Sequence, residues 1–259
     1  VLCLHHHSIK ISVQALQNLA EAGASVLVTD AVHHPCAWLL PQVGNGDLVR
    51  RLHQQILLDN SEIKGVLWQT LIKARLNTQA INLRVLNRKG ALRLERLAQE
   101  VLPEDKTKCE GKGAKHYWAC LFEAEFSREK QGAGDAINSR LNFGYAVLRA
   151  MIARGLVIAG LNPALGVGHC NMENPFNLAD DFIEPYRFVV ERYVAKNYNG
   201  EFNSQARKEI LGFISQEIKM KDVGYRLPSA INESIASFVR VLDGRSKHLS
   251  LPEDILNKT

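Results

Sequence analysis

Residues 136–160 read AINSRLNFGYAVLRAMIARGLVIAG, and this run decides the fold. Ile137, Leu141, Tyr145, Leu148, Ile152, Leu156 and Ala159 recur at helical spacing, the stripe of an amphipathic helix whose apolar side faces a core. Asp135 stands where an N-cap is expected, and Gly144 and Gly155 leave room for neighbouring helices to come close. The continuation LNPALGVGH (161–169) contains Pro163, Gly166 and Gly168, so His169 is presented by a loop rather than by a helix interior. Asn177 is the expected cap of the next helix, LADDFIEPYRFVVERYVA (178–195), which Pro185 should kink one turn in.

Helical periodicity extends outward in both directions. It covers 48–58, 63–86 and 91–101, and after a polar link over 103–109 it places Ala114, Tyr117, Trp118, Leu121 and Phe122 on one face. Two more amphipathic helices are expected near 204–219 and 229–242. The first 46 residues differ: VLCL is strand-like, Ser8 or Ser12 caps a helix ended by Gly23, SVLVTD reads as a buried strand, and HHPCAWLLP is another short apolar segment. The glycines of VGNGD mark a break near residue 46. So few strands would leave long unpaired edges, so further strands are expected from upstream residues or from a partner chain. The expected class is α+β: the remainder of an amino-terminal sheet domain over 1–46, a large mainly α-helical domain over 47–243, and a polar tail over 244–259.

The 259 residues are 46% hydrophobic and 23% charged, an ordinary globular balance. No uninterrupted apolar run approaches the roughly 18–20 residues of a membrane span, so a soluble protein is expected. Five cysteines with no C-x-x-C pair argue against a disulfide framework or a thiolate zinc ribbon and fit a reducing cytosol. His5, His6 and His7 are read as native sequence rather than as a tag. Between Arg50 and Arg96 ten Lys or Arg face Asp59, Glu62 and Glu95, a net of +7 that exceeds the whole-chain +5. Each basic residue alone suits a solvated helix face, whereas the cluster suits a polyanion-binding surface.

Asp180, Asp181 and Glu184 crowd three carboxylates together, with Asp181 and Glu184 on one helical face. Either Arg187 and solvent relieve the repulsion, or a hard divalent cation does, since Mg²⁺ and Mn²⁺ take oxygen ligands and Mn²⁺ also accepts an imidazole. His169 lies near enough in sequence to join them. Glu110 opens a helix, where a carboxylate also complements the dipole. Cys109 and Cys170 flank two of these residues and raise zinc as a competitor without a recognised ligand spacing. Walker, Rossmann, H-E-x-x-H and G-x-S-x-G patterns are absent.

Read together, HHHSIKISVQALQNLAEAGASVLVTD (5–30), CEGKGAKHYWACLF (109–122), the 138–169 stretch and NPFNLADDFIEPYRFVVERYV (174–194) closely resemble the CRISPR spacer-acquisition integrases, the Cas-one family. The wording ADDFIEPYR is similar to the branch found with type II systems. The resemblance implies a divalent-metal-dependent DNA endonuclease and integrase of antiviral defence. Glu110, His169 and Glu184 would hold Mg²⁺ or Mn²⁺, with Asp181 a second acidic position; other branches carry aspartate in place of Glu184. The 3′-hydroxyl of a captured protospacer would attack a phosphodiester at the end of a CRISPR repeat. Arg50, Arg51, Lys73, Arg75, Arg84, Arg88 and Lys89, with Arg149 and Arg154 as additions, would track the DNA backbone. The implied partners are double-stranded and branched DNA, a second copy of the chain, the small Cas-two subunit and, in type II systems, the effector nuclease, all in a prokaryotic cytoplasm. Family members begin with several further β-strands, and this chain starts after most of them. A catalytically silent DNA-binding scaffold of the same fold is the alternative.

Overall fold

In the computed structural model the described residues are 2–4, 6–29, 35–40, 47–122, 126–129, 135–197 and 200–256. Strand β1 (Leu2–Leu4) leads to helix α1 (Val13–Glu21), which starts where the Ser12 hydroxyl accepts the Ala15 N–H at 3.1 Å and stops before Gly23 in a left-handed conformation. Strands β2 (Val26–Thr29) and β3 (Pro35–Leu39) complete a small sheet. β1 runs parallel and β3 antiparallel to the central β2, whose Val26 and Leu27 are buried. The glycine break read at 43–46 and His5 lie outside the described residues.

Beyond the sheet the chain is helical: α2 (Leu48–Asp59), α3 (Glu62–Val85), α4 (Ala91–Glu100), α5 (Cys109–Leu121) and α6 (Ala136–Ile158). Next come α7 (Asn177–Ile183), α8 (Arg187–Lys196), α9 (Ser204–Ile210) and α10 (Leu227–Leu242). The α+β class expected from the sequence is the class observed. Asp135 caps α6 by accepting the Asn138 N–H at 2.7 Å. Helix α6 is long and apolar enough to cross a membrane by length and composition. Its stripe instead lies in the protein core, where Leu141, Leu148, Ile152 and Leu156 are wholly buried against the surrounding helices. The two glycines act as expected. A Cβ at Gly144 would stand 2.5 Å from a methyl of Val190 on α8, and one at Gly155 2.6 Å from a methyl of Ile235 on α10.

Three local expectations are corrected. Asn177 is the first residue of α7 rather than its cap; its side-chain amide donates to the Ala164 and Asn171 carbonyls and ties down the preceding loop. Pro185 does more than bend a helix, since a 3₁₀ turn over Glu184–Tyr186 separates α7 from α8. The helix expected over 204–219 ends at Ile210, and after a 3₁₀ turn the chain forms strands β4 (Glu217–Met220) and β5 (Val223–Arg226). Burial alternates along β4, with Ile218 and Met220 inside, and four residues are too few for that period to outvote the helical one in sequence. The tail is docked as well: β6 (Asp254–Ile255) pairs antiparallel with β4, and Leu249 and Leu251 pack on the core.

The first helix of the domain is pinned to its last. Asp243, just beyond α10, accepts hydrogen bonds from Arg50 at 3.0 Å, Gln54 at 3.1 Å and both terminal nitrogens of the buried Arg51. With Arg51 foremost, and Gln54 and Arg245 assisting, these bonds hold the Asp243 carboxyl well below the usual carboxylate range. Because the folded value lies below the unfolded value of about 4, the stabilisation is complete above it and fades as pH falls further. Asp243→Asn is expected to cost about 2 kcal/mol in urea unfolding at pH 7, with the gap to wild type narrowing below about pH 4.

Candidate active site

Glu110 is placed by a cap that the sequence reading did not use. The Asp105 carboxylate accepts the Cys109 N–H at 2.8 Å and the Glu110 N–H at 3.0 Å, satisfying two orphan donors of α5 and setting Glu110 in its first turn. The signal was present as an acidic residue just upstream in PEDKTKCEG.

His169 is placed by Asp181. That carboxylate is completely buried and accepts the backbone N–H groups of Val167, Gly168 (3.2 Å) and His169 (2.8 Å), and it stands 2.8 Å from His169 Nδ1. Since its partner is a carboxylate oxygen, the ring donates through Nδ1, and Nε2 is not engaged by Asp181. The ring meets Trp68 of α3 edge-on at 5.4 Å between centroids. Gly168 lets this happen, because a Cβ there would overlap the Trp68 ring. Burial pushes the His169 pKa down, but the Asp181 hydrogen bond and the charges of Asp181, Glu184 and Asp180 outweigh it, and the net shift is up. Asp180 itself is paired with Arg149 and accepts the Asn174 amide at 2.8 Å.

Glu184 sits in the 3₁₀ turn after α7 and is buried. Its Oε1 accepts Arg187 Nη1 at 3.0 Å, while its Oε2 lies 2.6 Å from Arg75 Nη1 at an angle that makes no hydrogen bond. The same Arg75 nitrogen donates to Glu110 Oε1 at 2.8 Å. Burial alone would raise the Glu184 carboxyl, but Arg187, Arg75 and His169 together hold it below its ordinary value, so it is ionised at neutral pH. Two carboxylates remote in sequence therefore meet on one guanidinium nitrogen, with His169 close enough to act on one of them.

Several sequence expectations change in this light. Arg187 relieves the acidic cluster as one reading required. Asp181 stands behind His169, its oxygens occupied, rather than beside it as a further open ligand. Arg75 and Arg51 are buried in ion pairs and do not form an outer basic surface, whereas Arg50 pairs with Asp243 while remaining exposed. Arg149 is paired with Asp180, and Arg154 donates to the Gly23 carbonyl. Lys73 is half-buried, whereas Arg84, Arg88 and Lys89 are exposed, as are Arg93 and Arg96 on α4. Arg84 pairs with Glu95; the other four make no ion pair among the described residues. Cys109 is buried against the Thr107 hydroxyl and Cys170 is exposed. Among the described residues no three His, Cys, Asp or Glu side chains are placed to share an ion as they stand, neither around Cys109 and Cys170 nor at Glu110, His169 and Glu184, where Arg75 stands between the two glutamates.

Fold and site together define a class: a small sheet followed by a helical domain in which two glutamates from separate stretches of chain meet on one arginine, near a histidine held by a buried aspartate. The chain belongs to the CRISPR associated protein Cas1 family, whose model matches residues 1–209. The CRISPR-associated endonuclease Cas1 of Neisseria meningitidis serogroup C is 33% identical over 260 residues, spanning 98% of this chain and 84% of that protein. Among solved structures, a casposase bound to integration product superposes with a TM-score of 0.80 at 18% identity, covering 96% of this chain and 79% of that one. A Cas6-RT-Cas1–Cas2 complex superposes at 0.76 and 18% identity, covering 95% of this chain and 31% of that one. At such identities these two likenesses establish the fold.

The contact between Gly168 and Trp68 is open to test. Gly168→Ala is expected to lower stability by about 1–3 kcal/mol in urea unfolding and to shift the His169 ring resonances, because the loop must withdraw from Trp68.

Proposed function

We propose that this protein is a divalent-metal-dependent DNA integrase of CRISPR adaptation, in which Glu110, His169 and Glu184 hold Mg²⁺ or Mn²⁺. The observation that carries the reading is the meeting of Glu110 and Glu184 on a single cation, Arg75 Nη1, beside a histidine whose Nδ1 is already engaged. The residue types suit such an ion. Two carboxylates and an imidazole are a donor set for Mg²⁺ or Mn²⁺, and Glu184 Oε2 is a buried oxygen with no hydrogen bond. When bound, the ion would polarise the phosphoryl oxygen and stabilise charge on the attacking or leaving oxygen.

The chain's own residues do the positioning. Asp181 fixes the tautomer and direction of His169 and stiffens the 166–169 loop, the usual task of a carboxylate behind a ligating histidine. Arg187 holds Glu184 ionised and aimed. The reaction is a direct transesterification: the protospacer 3′-oxygen forms a bond to phosphorus as the repeat-strand 3′-oxygen leaves, taking up the proton released. No covalent enzyme intermediate is needed. The exposed edge of Arg84, Arg88, Lys89, Arg93 and Arg96, near the turn between α3 and α4, would follow the phosphate backbone of double-stranded or branched DNA. The related complex that contains Cas1 and Cas2 supports a Cas2 partner; a second copy of the chain completes the expected assembly, with the type II effector nuclease a further partner, in the prokaryotic cytoplasm.

One observation favours the silent-scaffold alternative: a guanidinium already stands between the two glutamates. Strand transfer decides between them. In Mn²⁺, with a 3′-hydroxyl duplex and a plasmid carrying a CRISPR repeat, wild type is expected to integrate. Glu110→Ala, His169→Ala and Glu184→Gln should fall to background while retaining duplex binding. Parental rates in all three variants, or no turnover by wild type in any divalent ion, would refute the site. Separately, Arg88→Ala and Lys89→Ala should each weaken duplex binding across sequences and reduce its salt slope by about 1.

A further inference from the structure

Arg75 rises from the middle of α3 into the site and is only 3% exposed. Arginine ordinarily meets a carboxylate as a fork, two nitrogens on two oxygens of one group. Here one nitrogen serves two separate carboxylates, at 2.8 Å from Glu110 and 2.6 Å from Glu184, while Arg75 Nε and Glu184 Oε2 are both buried without a hydrogen bond. One nitrogen facing oxygens of two groups is how a spherical cation is held, and it is a poor use of a guanidinium. Arg187, the other arginine on Glu184, is anchored differently: it also reaches Glu191 at 3.6 Å and lies over the Tyr145 ring at 4.5 Å. Of the two, Arg75 is the one with less to lose by moving.

We propose that Arg75 is the resident counter-ion of the metal site: its Nη1 takes the cation position between Glu110 and Glu184 when no divalent ion is bound, and ion binding makes it give up at least one of them. The proposal rests on the metal reading above. Without a cation between them, Glu110 and Glu184 would face each other as like charges, and their side chains would spread apart. Arginine does not deprotonate near neutral pH, so it yields only by moving. Its charge therefore preserves the assembled pair in the empty protein and opposes every incoming ion, which sets a threshold that favours dications over monovalent ions. Arg75 thus acts as a positioning residue, through the two glutamates rather than on the substrate.

The test is Mn²⁺ binding to the full chain by calorimetry, with thermal unfolding of the metal-free protein measured alongside. Arg75→Met, which keeps the length and removes the charge, is expected to bind Mn²⁺ at least about tenfold tighter than wild type, to melt lower without metal, and to recover on adding Mn²⁺. Arg75→Lys, which keeps the charge, should bind no tighter than wild type. If His169→Ala abolishes Mn²⁺ binding while Arg75→Met binds no tighter than wild type, the counter-ion role is overturned and the metal site stands. If wild-type binding ignores His169→Ala, or neither wild type nor Arg75→Met binds, both fall. Should Arg75→Met not fold, crystals of wild type with and without Mn²⁺ decide. Withdrawal of Nη1 from one carboxylate on loading supports the proposal, and both contacts intact beside a bound ion overturns it.

Discussion

Carboxylates carried into a protein interior must take their compensating charge with them. Glu184, Asp181 and Glu191 are all essentially buried, and the helices around them are arranged so that Arg75, Arg187 and His169 reach them. Removing one partner from such a cluster strands a charge away from water, which is far more costly than losing an exposed pair. This requirement joins α3, α5, the 166–169 loop and the turn between α7 and α8, elements that their sequence separation does nothing to unite. The pairs give the interior a specific geometry that apolar packing alone would leave undetermined.

The apolar framework makes that geometry possible. Helix α6 is the surface on which α8 and α10 are laid, and its two glycines set how close they come. The loop that leaves it must turn sharply and still keep its backbone donors satisfied under cover; Asp181 accepts three of them and uses its remaining capacity on the histidine ring. One buried aspartate thereby converts a flexible glycine-rich sequence into a rigid mount. Asp105 performs the equivalent service for Glu110 at the head of α5. In both cases a buried or capping carboxylate orients a residue of the candidate site.

Membership of the Cas1 family joins these local arguments to a function. The small sheet and the helical domain are both present, and they touch where Trp38 of β3 lies 5.2 Å from Phe176, just before α7. The basic residues separate into two populations with different tasks. Those turned inward balance buried acids, and those at the junction of α3 and α4 remain available to a polyanion. Net charge by segment does not distinguish them.

Much was legible in the residues themselves. Periodicity located the long helices, Asp135 was identifiable as a cap, and Gly144 and Gly155 as points of close approach, because each of these follows from neighbours within a few positions; Glu110, His169 and Glu184 were singled out as a set only by resemblance to the family. The hairpin over 217–226 and the docking of 254–255 were not legible, since strands so short show no period apart from their partners. Nor was the inward turn of Arg51 and Arg75: whether a basic side chain meets solvent or a buried acid depends on which distant helix packs against its own. Sequence alone determined the long helices and the inventory of donors. Tertiary structure decided which charges face one another, because electrostatic pairing in an interior acts through space and is indifferent to distance along the chain.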